Sequence, residues 1–264
     1  MPRFAANLSL LFTEVPFVER FAAAAAAGFK AVEFQFPYEY DAALLQGELR
    51  RHDLRAVLFN LPPGDFAAGD RGLAADPRRR DEFRAGVARA IAYAEALGVD
   101  RLNCLAGIWP AGGAAGVVRA TLTDNVRYAA DELAKKGLTL VVEHINHHDM
   151  PGFCLTTTAQ ALALLADADR PNAFLQYDMY HAQRMEGELL ATLTANLARI
   201  GHIQVADNPG RHEPGTGEIN YRNIFTALDR LGYQGYVGLE YIPSGATPAS
   251  LAWLGEYGYS PRQA

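Results

Sequence analysis

Four apolar runs in the second half of the chain each close on a side chain that can bind a hard divalent cation. Run 138–143 ends on Glu143, 173–178 on Asp178, 200–204 on Gln204 and 236–240 on Glu240. The intervals between these polar residues are 35, 26 and 36 positions, each with room for a loop, a helix, a second loop and the next strand. Three carboxylates and an amide oxygen converging at one point would form an oxygen-only site suited to Mg²⁺ or Mn²⁺. Around a divalent ion that set is net negative by one, so an anionic substrate needs additional positive charge. The nearest candidates are His181, three residues after Asp178, and Arg211, in the segment after the third run. Arg211 suits a carboxylate because its planar fork donates two hydrogen bonds at once. His144, His147 and His148 lie close enough in sequence for a zinc cluster, but they read better as a polar loop whose first member, His144, lines the pocket.

To bring these side chains together, the chain must repeat one unit. Strand candidates fall at 3–11, 31–36, 54–60, 101–105, 138–143, 173–178, 200–205 and 236–240. Helices are expected at 15–27, 42–51, 77–97, 121–136, 157–166, 186–197, 221–231 and 248–256. Several strands are entered through a glycine that stops the preceding helix, as at Gly28, Gly98, Gly137 and Gly232. Eight strands alternating with eight helices is the count of a (β/α)8 TIM barrel, which gathers catalytic residues at the C-terminal ends of its strands. One such domain over 1–264 is a typical length for the fold. The segments 61–76 and 106–118, rich in Gly, Pro and Ala, would lie over the catalytic face as loops.

Composition removes several function classes. Net charge is −6, so no basic footprint for nucleic acid exists. No apolar run suggests a signal peptide or a membrane span. The two cysteines make no metal or redox motif, and a cytoplasmic enzyme with free thiols is the expectation. The three lysines, Lys30, Lys135 and Lys136, are expected at the barrel face opposite the site. That argues against Schiff-base chemistry. The glycines at 112–116 and 215–217 do not form a dinucleotide fingerprint. Oligomeric state is left open, with a homo-oligomer compatible.

The motifs His202-Ile-Gln204, Arg211-His-Glu-Pro214, Gly217-Glu-Ile-Asn-Tyr221, Tyr177-Asp-Met-Tyr-His-Ala-Gln183 and Gly232 through Tyr241 resemble the hydroxypyruvate isomerases of the xylose-isomerase-like barrels. The resemblance spans essentially the whole chain and is most specific from Glu143 to Tyr241. It implies that Glu143 and Glu240 act as paired acid and base and also hold the metal, with Asp178 and Gln204 as the other ligands. Related sugar epimerases carry a histidine where Gln204 stands, which implies a looser hold on the metal here or a metal less essential to the reaction. The implied substrate is a small 2-oxo acid or sugar acid, with hydroxypyruvate and tartronate semialdehyde interconverted through an enediolate. An isomerase of a four-carbon 2-oxo acid and a ketose 3-epimerase are the alternatives within this chemistry. A sugar-acid binding protein is the alternative without it. An endonuclease of the same superfamily would need more histidine ligands and a basic groove.

Overall fold

The computed structural model describes residues 2–260; residue 1 and residues 261–264 of the expected domain lie outside the described residues. Its strands are β1 (Arg3–Asn7), β2 (Ala31–Glu33), β3 (Arg55–Asn60), β4 (Arg101–Cys104), β5 (Thr139–Glu143), β6 (Ala173–Asp178), β7 (Ile200–Val205) and β8 (Tyr236–Leu239). Each pairs in parallel with its successor, and β8 pairs back onto β1, so the sheet closes as a barrel. The helices are α1 (Arg20–Ala27), α2 (Ala42–Arg51), α3 (Arg80–Leu97), α4 (Ala115–Ala134), α5 (Thr158–Ala168), α6 (Met179–Met185), α7 (Leu189–Asn196), α8 (Tyr221–Arg230), α9 (Thr247–Ser250) and α10 (Ala252–Glu256). The four helix-stopping glycines all adopt positive φ. No described helix is long and apolar enough to cross a membrane.

Side chains along a strand alternate between its two faces, and in this barrel the alternation builds two layers inside the sheet. Ala5, Ala31, Leu58 and Val141 pack with Phe174 and Tyr236 into an apolar cluster separate from the main core. Two residues further along the same strands stand Asn7, Glu33, Asn60, Glu143, Gln176 and Gly238, so the next layer is polar. The opposite parity faces the helices: Leu140, Val142, Leu175, Tyr177, Ile203 and Val205 belong to the large cluster between sheet and helices.

Several segments differ from the sequence reading: β2 stops at Glu33, α1 and α3 start at Arg20 and Arg80, the last expected helix is split into α9 and α10, and three further differences bear on the site. Strand β1 stops at Asn7, where a turn begins. Helix α4 starts at Ala115, which shortens the segment expected as a loop over 106–118. Residues 179–185, expected as loop, form α6, because the Asp178 side chain caps its first turn by accepting from the backbone N–H groups of Tyr180 (2.8 Å) and His181 (3.3 Å).

Candidate active site

Neighbouring strands set the register that brings the polar ends together: Glu143 pairs with Gln176, Asp178 with Gln204, and Asn7 with Glu33. At the C-terminal mouth, Glu143, His181, Arg211 and Glu240 line one cleft of about 80 Å³, with Gln35, Asn60 and Arg71 on its other sides. A roomier groove of about 230 Å³ beside α4 and α5 holds no comparable cluster of titratable groups. The chemistry-bearing residues lie in the smaller cleft.

Inside it the charged groups form a row. His181 Nε2 is 3.9 Å from Glu143 Oε1 and 3.7 Å from Asp178 Oδ2. Arg211 Nη2 lies 3.8 Å from the same Asp178 oxygen and 2.7 Å from Glu240 Oε2. Neutral amides hold the outer ends: Asn103 Nδ2 donates to Glu143 Oε2 at 2.9 Å, while Asn7 Nδ2 and Gln35 Nε2 each donate to Glu240 Oε1 at 3.1 Å.

Burial dominates the electrostatics. It raises the Glu143 carboxyl well above the usual carboxylate range, with the charges of Glu240 and Asp178 adding to the effect. Burial likewise raises Glu240 to about 7; Arg211 opposes the shift, and Asp178 and Glu33 reinforce it. Asp178 is also raised by burial, against the pull of Arg211 and the α6 backbone N–H groups. Burial and the nearby Arg211 charge hold His181 well below the ordinary histidine value, so its ring is neutral.

Glu143, Asp178 and His181 each offer a ligand atom within 4.8 Å of the others. Asp178 Oδ1 is committed to the α6 cap, while Oδ2 is buried with no hydrogen-bond partner. A cation would meet that demand, and the donor set fits one. The cluster shares Glu143 and Asp178 with the ligand set expected from sequence. Gln204 is held in a different way: its Oε1 accepts from Gln176 Nε2 at 2.5 Å, and its Nε2 donates to Glu33 Oε1 at 2.7 Å. The His181 ring is set from behind. Asn146 Oδ1 accepts from Asp149 N and its Nδ2 donates to Asp149 Oδ2, which fixes the amide so that Nδ2 donates to His181 Nδ1 at 2.7 Å. That arrangement assigns the ring hydrogen to Nε2, facing the carboxylates.

His144 does not reach the cleft. Glu143 faces inward, so its neighbour turns outward and stacks on Tyr177 (6.1 Å), with Nε2 3.5 Å from Thr158 Oγ1 of α5. Conversely, sequence reasoning missed Glu33, fully buried beneath Glu240. Its carboxylate lies 2.7 Å from His202 Nε2 and accepts from Asn7 Nδ2 at 2.9 Å. Gly238 makes room for it, because a Cβ there would overlap the Glu33 carboxylate. The available signal was parity: Glu33 lies two residues past inward-facing Ala31.

The fold has known relatives. The xylose isomerase-like TIM barrel family model matches residues 21–257. The hydroxypyruvate isomerase of Escherichia coli K12 is 52% identical, over 97% of this chain and all of that protein. The 2-oxo-tetronate isomerase of Cupriavidus necator is 47% identical, over 97% of this chain and 99% of its own. A crystal structure from Brucella melitensis titled AP endonuclease, family 2, is 47% identical, with a TM-score of 0.95 over 97% of this chain and 99% of that one. The chain belongs to the xylose isomerase-like TIM barrels and, within them, to the hydroxypyruvate isomerase family, whose curated members at this level of identity are isomerases.

Proposed function

We propose that this protein interconverts hydroxypyruvate and tartronate semialdehyde, with Glu143 and Glu240 moving the protons. The observation that carries the reading is the pair itself. Two buried glutamates, from β5 and from the end of β8, open into one cleft, with the Glu143 carboxyl raised well above the usual carboxylate range and that of Glu240 raised to about 7. A carboxyl titrating near the working pH serves as well in the base form as in the acid form. One glutamate takes a proton from the hydroxymethyl carbon, the electron pair moves into an enediolate, the hydroxyl proton passes from the hydroxymethyl oxygen to the former carbonyl oxygen, and the other glutamate returns a proton to the former carbonyl carbon. The reverse reaction exchanges the two roles. Arg211, against Glu240 and Asp178, stabilises the negative charge that passes along this row. Neutral His181, with Nε2–H toward the cleft, donates to a substrate oxygen.

The cleft suits a short substrate. Its 80 Å³ is well below the roughly 300 Å³ at which sites for larger ligands begin, which favours three- and four-carbon acids over longer ketoses. The 2-oxo-tetronate isomerases among the relatives make a four-carbon 2-oxo acid the second reading. The endonuclease title of the Brucella melitensis structure is outweighed by charge: the net charge is −6 and carboxyl groups line the cleft, which disfavours a polyanion. Mg²⁺ or Mn²⁺ would be held by Glu143 and Asp178, with Glu240 as a further ligand candidate; Gln204 is engaged by Gln176 and Glu33, and His181 would ligate only in place of its Nε2–H donation. When bound, it would polarise the substrate oxygens.

The test is to incubate the purified protein with hydroxypyruvate in ²H₂O, and to assay 2-oxo-tetronate and a neutral ketose in parallel. We expect tartronate semialdehyde with deuterium at the former carbonyl carbon, and little turnover of the ketose. No product from either 2-oxo acid would overturn the reading.

A further inference from the structure

We propose that Arg71, on the arm between β3 and α3, docks the carboxylate of the substrate; this rests on the 2-oxo-acid reading above. The carboxyl groups of Glu143, Asp178 and Glu240 surround one guanidinium at the head of the cleft, and Asp149 lines its rim, paired with Arg184. That guanidinium, Arg211, is already turned to two of them. An incoming carboxylate therefore finds no unengaged cation there unless a second one stands at the mouth. Arg71 lines the same cleft, and among the described residues no carboxylate forms an ion pair with it. Its sequence neighbour Asp70 is turned away, pairing with Arg79 at 2.6 Å and accepting from Asp65 N at 2.7 Å.

The guanidinium is held in position. It lies over the Phe66 ring, 3.9 Å from the centroid. Its Nη1 donates to the carbonyl oxygens of Phe66 (2.9 Å) and Asp70 (2.7 Å), leaving the Nη2 side of the fork for a ligand. Phe66 is 46% exposed, unusual for a phenylalanine on a polar loop, and it packs on Phe36 at 5.5 Å. These contacts make it a platform for the arginine. The arm is also pinned beside Arg71. Gly72, at φ 113°, presses so closely on Leu105 that a Cβ would overlap its carbonyl oxygen. Gly72 N donates to Pro63 O, and Ala75 N donates to Ala106 O, both at 2.9 Å. A planar fork held this way is preorganised for a carboxylate, so little ordering remains to be done on binding.

The test compares wild type with Arg71→Ala, Arg71→Lys and Phe66→Ala, each checked for an unchanged thermal melt. The readouts are hydroxypyruvate kinetics and calorimetric binding of pyruvate, with dihydroxyacetone as the matched ligand lacking a carboxylate. We expect Arg71→Ala to weaken pyruvate binding and raise the KM for hydroxypyruvate by about ten- to a hundredfold. The loss should fall on KM more than on kcat, and dihydroxyacetone binding should stay within about twofold. Arg71→Lys should recover part of the loss, since it restores charge without the fork, and Phe66→Ala should give a smaller loss of the same kind. Unchanged pyruvate affinity in Arg71→Ala, or equal losses on pyruvate and dihydroxyacetone, would overturn the assignment. A wild type that binds pyruvate through Arg71 but isomerises no 2-oxo acid would overturn the proposed reaction and leave the anion site standing.

Discussion

Two layers of the barrel interior, one turn of the pleat apart on the same strands, are built on opposite principles. The lower one, with Ala5, Ala31, Leu58 and Val141 against Phe174 and Tyr236, is apolar and has no hydrogen bonds to satisfy. The upper one buries Asn7, Glu33, Asn103, Glu143, Gln176 and Gln204 almost completely and holds them in a network in which nearly every amide is paired. Even so, Asp178 Oδ2, Asn103 Oδ1 and Gln176 Oε1 remain without hydrogen-bond partners. The apolar layer lowers the free energy of folding. The polar layer raises it, because carboxyls removed from water resist ionising. The contrast locates function: a fold tolerates clustered, desolvated acids where chemistry needs them and a rigid layer beneath keeps them in place.

The sharpest way to break this comparison is to remove the charge from the upper layer while keeping its shape. Glu143→Gln and Glu240→Gln should each lower kcat for hydroxypyruvate by about two to four orders of magnitude, the range of acid–base catalysis. Without divalent cation at pH 8, neither melt should fall and both should rise, since the amide cannot ionise. Near-full turnover in either variant, with the fold intact, would remove that residue from the pair.

How far this contrast was legible from the chain depends on which signal each part carries. Strands β6 and β7 were read to the residue, because largely apolar runs there end at Asp178 or pass through Gln204 to Val205. Glu143, Asp178 and Glu240 were visible for the same reason. Glu33 was not: β2 is three residues long, and the partners that explain a buried carboxylate there, His202 and Gln204, lie 169 and 171 positions away. Helix α6 was missed because its start signal is Asp178, and one side chain serves both as helix cap and as site residue. His144 went astray for want of a parity argument, since a residue following an inward glutamate faces out. Arg71 lies on an irregular segment where no periodicity indicates direction, and its role depends on contacts with Phe66 and Gly72 that only the folded arm creates.

The lower layer supplies the converse test. Leu58 is buried inside the barrel, and Leu58→Ala should cost about 2–5 kcal/mol of stability, the range for a cavity in a packed core. Denaturant midpoints would measure it. At temperatures where the variant remains folded, kcat should stay within about threefold of wild type, since no group in the upper layer has been altered. A catalytic loss as large as that of Glu240→Gln would mean that the two layers are not separable.

The smallest effect, and the finest probe of the upper layer, is its response to pH. Burial raises Glu240 to about 7 and Glu143 well above its usual range, while the unfolded chain leaves both near the ordinary value of about 4.3. A folded state whose acids hold their protons more tightly is favoured at low pH. That contribution is fully present below the unfolded value and is lost as pH rises through the folded one. In chelator-treated protein the melting temperature should therefore fall between about pH 5 and pH 8, more steeply in wild type than in Glu240→Gln. Saturating Mn²⁺ should reverse the trend: a cation binds the ionised carboxylates, so its stabilisation grows with pH, reaching about 2.7 kcal/mol at a hundred times its dissociation constant. Parallel wild-type and Glu240→Gln slopes would show that the raised carboxyl does not weigh on folding. A melt indifferent to Mn²⁺ at pH 8 would take the cation out of the upper layer.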